Sequence, residues 1–208
     1  ISRMIDLLNL AGEDLTIMNM REVLVNALTK ESAAQFLQIN AIINDPKSGE
    51  TDINIAVDKL QILQKDNYCL SCLLKAIERD DLSASQENSR RLVQSYFFKE
   101  FALLSERTKS IVMEQFLGLI APFETGLLQE QFSSDISDDL WPELAYEEGK
   151  IIILDFPVKE HLIAGVYAQG IYKFIFQQAM ERRDTSSEEN PRPCFLWVDE
   201  SHLFTNPV

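Results

Sequence analysis

The chain of 208 residues contains no run of 18 or more apolar residues, so nothing in it reads as a transmembrane helix. It also lacks a charged-then-apolar leader: it opens on Ile1-Ser2-Arg3, and no signal peptide is expected. Cysteine is scarce. Cys69, Cys72 and Cys194 form an odd count without framework spacing, which argues against a disulfide scaffold and for a reducing compartment. Histidine is scarcer still, with His161 and His202 both far from the Cys69-Leu70-Ser71-Cys72 pair. Zinc bound at that CxxC would need two more ligands, and no second CxxC or HxxxH exists. A redox CxxC opens a helix after a strand, whereas this one sits among helical repeats, so buried helical cysteines are expected. Bases are outnumbered, 19 against 33 acids, for a net charge of −14. Residues 1–148 hold 13 bases and 25 acids. Such a surface repels phosphate backbones unless a local basic patch forms, and it suits a basic protein partner better.

What is present is a globular composition, 46% hydrophobic and 25% charged, with room for a sizeable core. Residues 1–148 read as helix after helix. Met4, Ile5, Leu7, Leu8 and Ala11 make a helical stripe that closes near Gly12. Thr16 is placed to cap a second helix carrying Met20, Val23, Leu24, Ala27 and Leu28, and a third runs from about Ser32 to Ile43. Residues 45–49 form a turn. Helices then follow on Ile53, Val57, Leu60 and Leu63, and from Cys69 to Ile77. Ser83-Ala84-Ser85-Gln86 has the form of a capping box before a long helix through Phe97, Phe101 and Leu104. Another helix restarts at Ser105 and stops at Pro122. Leu127, Leu128 and Phe132 mark a short element, residues 133–139 a polar loop, and Pro142 to Glu148 a short helix ended by Gly149.

At Lys150 the period changes. Ile151-Ile152-Ile153-Leu154-Asp155-Phe156-Pro157 is an apolar run closed by Asp and Pro, read as a buried strand. Glu160 to Arg183 reads as one long helix with Leu162, Val166, Ile171, Phe174, Ile175 and Ala179 on its buried side. Phe195–Asp199 reads as a second strand, followed by Glu200. Strand, helix, strand is a βαβ unit with a parallel pair and a right-handed crossover. The expected fold class is therefore α/β, mostly α: an all-helical domain over 1–148 and a partial α/β unit over 149–208. Two strands alone leave unpaired edges, so further strands are expected from outside residues 1–208 or from partner chains. The chain opens without Met and stops soon after the second strand, so it reads as a piece of a larger protein.

Both strands end in an acid at the same edge, where open α/β sheets bind ligands. Apolar residues running into Asp199-Glu200 have the layout of a Walker B segment. In that reading Asp199 holds a magnesium ion, and Glu200 orients and deprotonates the water that attacks the γ-phosphate of ATP. Asp155 lines the nucleotide edge or, equally, caps the loop before the long helix. The competing reading is an ordinary strand ending in a solvated Asp-Glu pair. No G-x-x-x-x-G-K-[ST] loop occurs anywhere, so these residues carry at most half of such a site. Other features have plainer readings. Arg107 and Lys109 read as helix-surface charge, His202 as a loop histidine, and Phe97, Phe98 and Phe101 as core. Gly165, Ala168 and Gly170 read as close packing of the crossover helix.

The stretch from Gly149 to Val158, the long helix, and Arg192-Pro193-Cys194-Phe195-Leu196-Trp197-Val198-Asp199-Glu200 together resemble the C-terminal half of a known motor domain. The family is the conjugative coupling proteins, TraG/TraD-like ATPases of type IV secretion within the HerA/FtsK superfamily. A helical block before the βαβ unit matches that family's all-helical insert in a RecA-like P-loop motor. The resemblance implies a hexamer, tethered at the inner membrane with a cytoplasmic motor. It implies hydrolysis of ATP with Mg2+ to pump single-stranded DNA or a relaxase–DNA conjugate, the helical domain recognising relaxosome or secretion-system proteins. The Walker A loop, arginine finger and membrane anchor of that family are not found in these residues. The rival reading is an acidic all-helical interaction module with a non-catalytic α/β scaffold.

Overall fold

The computed structural model describes residues 1–132, 140–186, 191–199 and 201. They are mostly helical, with no strand among them. The chain divides into two compact units, Ile1–Ala121 and Pro122–Val208.

The first unit is built from seven α-helices: α1 (Ser2–Ala11), α2 (Ile17–Val25), α3 (Lys30–Ile43), α4 (Glu50–Lys65), α5 (Tyr68–Glu78), α6 (Ala84–Ser95) and α7 (Glu106–Ile120). Side-chain caps set most of their starts. The Thr16 hydroxyl accepts from Asn19 N, Asn67 Oδ1 from Leu70 N and Ser105 Oγ from Thr108 N, while Thr29 with Ser32 and Ser83 with Gln86 close capping boxes. At the C-terminus of α1, Gly12 takes φ 70°, the left-handed conformation that ends a helix at no steric cost to glycine. Helix α5 is the hub, packing against α1, α2, α4 and α6. Its Cys69, Leu70, Cys72 and Leu73 are fully buried with Leu7, Leu8, Val23 and Leu28. Leu28 lies beyond the end of α2 and still fills this core.

The helix expected to run unbroken to Leu104 changes register. Tyr96–Phe101 is a six-residue π-helix. Its wider turn sets Tyr96 5.9 Å from Phe101 and 5.1 Å from Phe97, while Phe97 and Phe101 are both buried. Phe98 instead stacks on Phe36 at 4.9 Å. These rings are core, as the sequence reading had them.

The acid excess is more local than the division at Gly149 suggested. Residues 1–121 carry 17 acids against 13 bases, whereas residues 122–148 carry eight acids and no base. The strongly acidic part of the chain therefore falls in the second unit.

That unit holds α8 (Gly126–Phe132), α9 (Glu143–Glu147), α10 (Val158–His161) and α11 (Ile163–Arg182). Helix α11 is its spine, packing against α8, α9 and α10. The long helix expected from Glu160 to Arg183 is thus two helices, broken at Leu162. The buried stripe of α11 also differs from the expectation. Gly165, Ala168, Tyr172 and Ala179 face inward, while Leu162 and Phe174 are exposed. The reason is close approach. A Cβ on Gly165 would lie 2.9 Å from Val158 Cα and 3.0 Å from Phe156 O. Backbone against backbone selects small residues and pushes larger ones to the flanks. Gly170, by contrast, faces open space. Gly165→Ala is expected to destabilise this unit by roughly 1–3 kcal/mol, because the clash is with backbone that no rotamer can relieve. Chemical denaturation followed by circular dichroism measures it, with Gly170→Ala as a control that costs nothing.

Leu162 itself sits at φ 46°, ψ −120°, where a branched side chain is strained. Its side chain is 68% exposed, so little burial compensates for the strain. Leu162→Gly is expected to stabilise the chain by about 1 kcal/mol, a gain visible as a rise in denaturation midpoint at unchanged m-value.

Candidate functional site

The two expected strands, Lys150 to Pro157 and Phe195–Asp199, do not form. A strand exists only as half of a ladder, and no neighbour pairs with either segment among the described residues. The apolar side chains are correspondingly bare. Ile151, Ile153, Phe195 and Trp197 are 89%, 81%, 89% and 93% exposed. Exposure nonetheless alternates with period two: Leu196 and Val198 fall to 42% and 36%, and Ile152, Leu154 and Phe156 are half-buried. In each segment the even-numbered side chains are the less exposed ones, the alternation of an extended chain, although Leu196 and Val198 remain exposed.

Helix α11 is tied to both segments. At its N-terminal half, Gln169 Nε2 donates to Phe156 O at 2.6 Å, and Gly165 lies against Phe156 and Val158. Just past its end, Arg183 Nη1 donates to Arg192 O at 2.7 Å, and the Arg183 guanidinium stacks 4.5 Å over the Tyr146 ring. Arg192 Nη1 in turn donates to Tyr146 O at 2.9 Å, and its guanidinium lies over Gly149, where a Cβ would stand 3.1 Å from Nη1. Gly149, at φ 76°, turns the chain there, and Lys150 N donates to Leu144 O at 3.1 Å. The Arg192 side chain therefore reaches the start of the first apolar segment. The 20 residues of α11 span about 30 Å, long enough to return along the roughly 25 Å of an extended segment 149–156.

Asp155 and Asp199 are both exposed, each on one of these segments. Glu200, assigned the catalytic role, and His202 lie outside the described residues. No group of three or more His, Cys, Asp or Glu side chains among the described residues is placed to hold a metal ion. A magnesium site built of protein ligands alone does not fit the described side chains. A single carboxylate such as Asp199 fits only an ion that brings phosphate and water oxygens with it.

The other candidates prove structural. Burial pushes the Cys69 thiol well above its ordinary range and that of Cys72 up to about 11, so neither is a thiolate at neutral pH. They are core cysteines, as expected. Lys109, expected on the surface, is buried, with Nζ 3.4 Å from a Glu106 carboxylate that is itself exposed. Arg107 is exposed, as helix-surface charge should be. A groove of about 500 Å³ in the first unit, walled by Tyr96, Phe97, Phe101 and Phe116, is mainly apolar. Its one charged group, Arg3, is paired with Asp6 at 3.3 Å. No single helix among the described residues is long and apolar enough to cross a membrane.

Sequence reasoning passed over Gln169 and read Leu162 as a buried helix residue, because a mid-helix Gln and a Leu carry no turn or site signature. Gly165 did carry one, as a small residue on the crossover helix. No family model, curated protein or solved structure matches the chain.

Proposed function

We propose that this chain is part of an ATP-driven motor that moves single-stranded DNA or a DNA–protein conjugate, similar to the coupling ATPases of type IV secretion. In this reading residues 151–156 and 195–199 are neighbouring parallel strands of a RecA-like sheet. The sheet's other strands and its phosphate-binding loop lie outside these 208 residues. The observation that carries the proposal is that the chain before each apolar segment is tied by arginine side chains, Arg192 to Tyr146 beside Gly149 and Arg183 to Arg192, with α11 between the two segments in sequence. A parallel βαβ crossover would follow such a path, and in the proposed sheet both acid-tipped ends would lie at one edge. The bare odd-numbered faces support the same reading. Four large apolar side chains left in water cost on the order of 1.5–3 kcal/mol each, a debt that a sheet and its second helix layer remove.

At that edge MgATP is the substrate. Asp199 would meet the ion that the phosphates carry, Glu200 would orient and deprotonate the attacking water, and Asp155 would line the nucleotide. Hexamerisation and attachment to the inner membrane belong to the same proposal and come from the resemblance. Recognition of basic relaxosome or secretion-system proteins falls more naturally to the acidic stretch 122–148 than to the nearly balanced first unit. Phosphate release by the complete motor protein, with and without single-stranded DNA, tests the proposal. Absence of ATP turnover would leave the rival, a protein-interaction module, which is favoured by one observation: the first unit closes its own core.

A further inference from the structure

We propose that Gln169 is a positioning residue that fixes the backbone beside Asp155; this rests on the motor reading above. The need for a clamp follows from the chain at that point. Phe156 precedes Pro157, which has no N–H to offer and confines Phe156 to extended conformations. The Phe156 carbonyl is in no ladder, so a donor must come from elsewhere. Gln169 Nε2 supplies it at 2.6 Å, across 13 residues of sequence.

The reach depends on Gly165. One turn earlier on the same face of α11, its missing side chain lets the helix backbone lie against Phe156 and Val158, where a Cβ would stand 2.9 Å from Val158 Cα. A third constraint is the Phe156 ring, 6.1 Å from both Phe132 and His161, with Phe132 in turn 6.2 Å from Phe123. Phe156 is therefore held at its carbonyl by Gln169 and at its ring by an aromatic row. Asp155, one residue back, points the other way and is exposed. The result is a solvent-facing carboxylate on a pinned backbone, the arrangement a nucleotide-lining group needs. A shift of about 1 Å at such a position costs on the order of a hundredfold in rate.

In the complete motor protein, Gln169→Leu is expected to lower kcat for ATP roughly ten- to hundredfold while KM moves little. Gln169→Glu is the discriminating variant. Ionised, it sets a carboxylate against a carbonyl; protonated, it donates as Gln does. Its kcat relative to wild type should therefore climb as pH falls, a change that loss of packing alone does not produce. Hydrogen exchange supplies a readout free of activity: residues 155–162 should exchange faster in Gln169→Leu. Unchanged exchange there overturns the clamp. Normal kcat in Gln169→Leu, in a motor that does hydrolyse ATP, overturns its catalytic meaning alone. A wild-type protein without ATP turnover overturns the motor reading and this role together.

Discussion

On the proposed motor function, Glu200→Gln in the complete protein is expected to abolish ATP turnover while ATP stays bound. Gln matches Glu in shape and keeps one carbonyl toward the water, so nucleotide affinity should survive. It cannot accept a proton at neutral pH, and loss of a general base costs about 10²–10⁴-fold in rate. Phosphate release measures the rate, and retention of labelled ATP on the protein measures the trapped state. Asp199→Asn should behave differently. With its charge gone, the metal–phosphate contact weakens and the loss appears first in the affinity for MgATP. A Glu200→Gln protein that hydrolyses ATP at nearly the wild-type rate would remove Glu200 as the base. If Asp199→Asn were silent as well, the Walker B assignment would go with it.

The helices were legible because their punctuation is local. Thr16, Ser83 with Gln86, and Ser105 cap where the sequence pattern places caps, and Gly12 and Gly149 take left-handed conformations where stops were read. What escaped was set by contacts the periodicity does not carry. Tyr96, Phe97, Phe98 and Phe101 read as one more α-helical stripe; only their packing against one another and Phe36 favours a π register. Leu162 is no turn former, yet the chain kinks there so that α11 can lie backbone to backbone on Phe156 and Val158. Of the stripe expected on the crossover helix, Ala179 is buried and Val166, Ile171 and Ile175 are half-buried, while Leu162 and Phe174 are exposed because close approach at Gly165 and Ala168 sets the inward face.

The apolar runs are the instructive disagreement. Continuous hydrophobicity encodes what finally covers a segment, and nothing among the described residues covers Ile151, Ile153, Phe195 or Trp197. The pattern suits the sheet proposed above, while among the described residues neither run forms a strand. Even so, the period-two exposure keeps the memory of a strand. Of the candidate site, Asp155 and Asp199 are both exposed on these two segments. The hydrogen bonds made beside them by Gln169, Arg183 and Arg192 were not legible, because single hydrogen bonds to a backbone carbonyl leave no trace in composition.

Phe97→Ala is expected to be the most damaging single substitution in the first unit, costing about 3–5 kcal/mol. The ring is 1% exposed, meets Tyr96 edge-on at 5.1 Å and lies 6.4 Å from Phe101. Removing it deletes most of the contact that holds the π turn inward and opens the apolar groove of about 500 Å³ beside it. Phe98 provides the internal comparison. It is only half-buried and stacks on one ring, Phe36, at 4.9 Å, so Phe98→Ala should cost about 1–2 kcal/mol. An uninterrupted α-helix through this stretch would rotate the two rings relative to the core and narrow that difference. Urea denaturation of both variants in the 208-residue chain measures the ranking. Equal losses, or a larger one for Phe98→Ala, would show that the π register does not set which phenylalanine the core depends on.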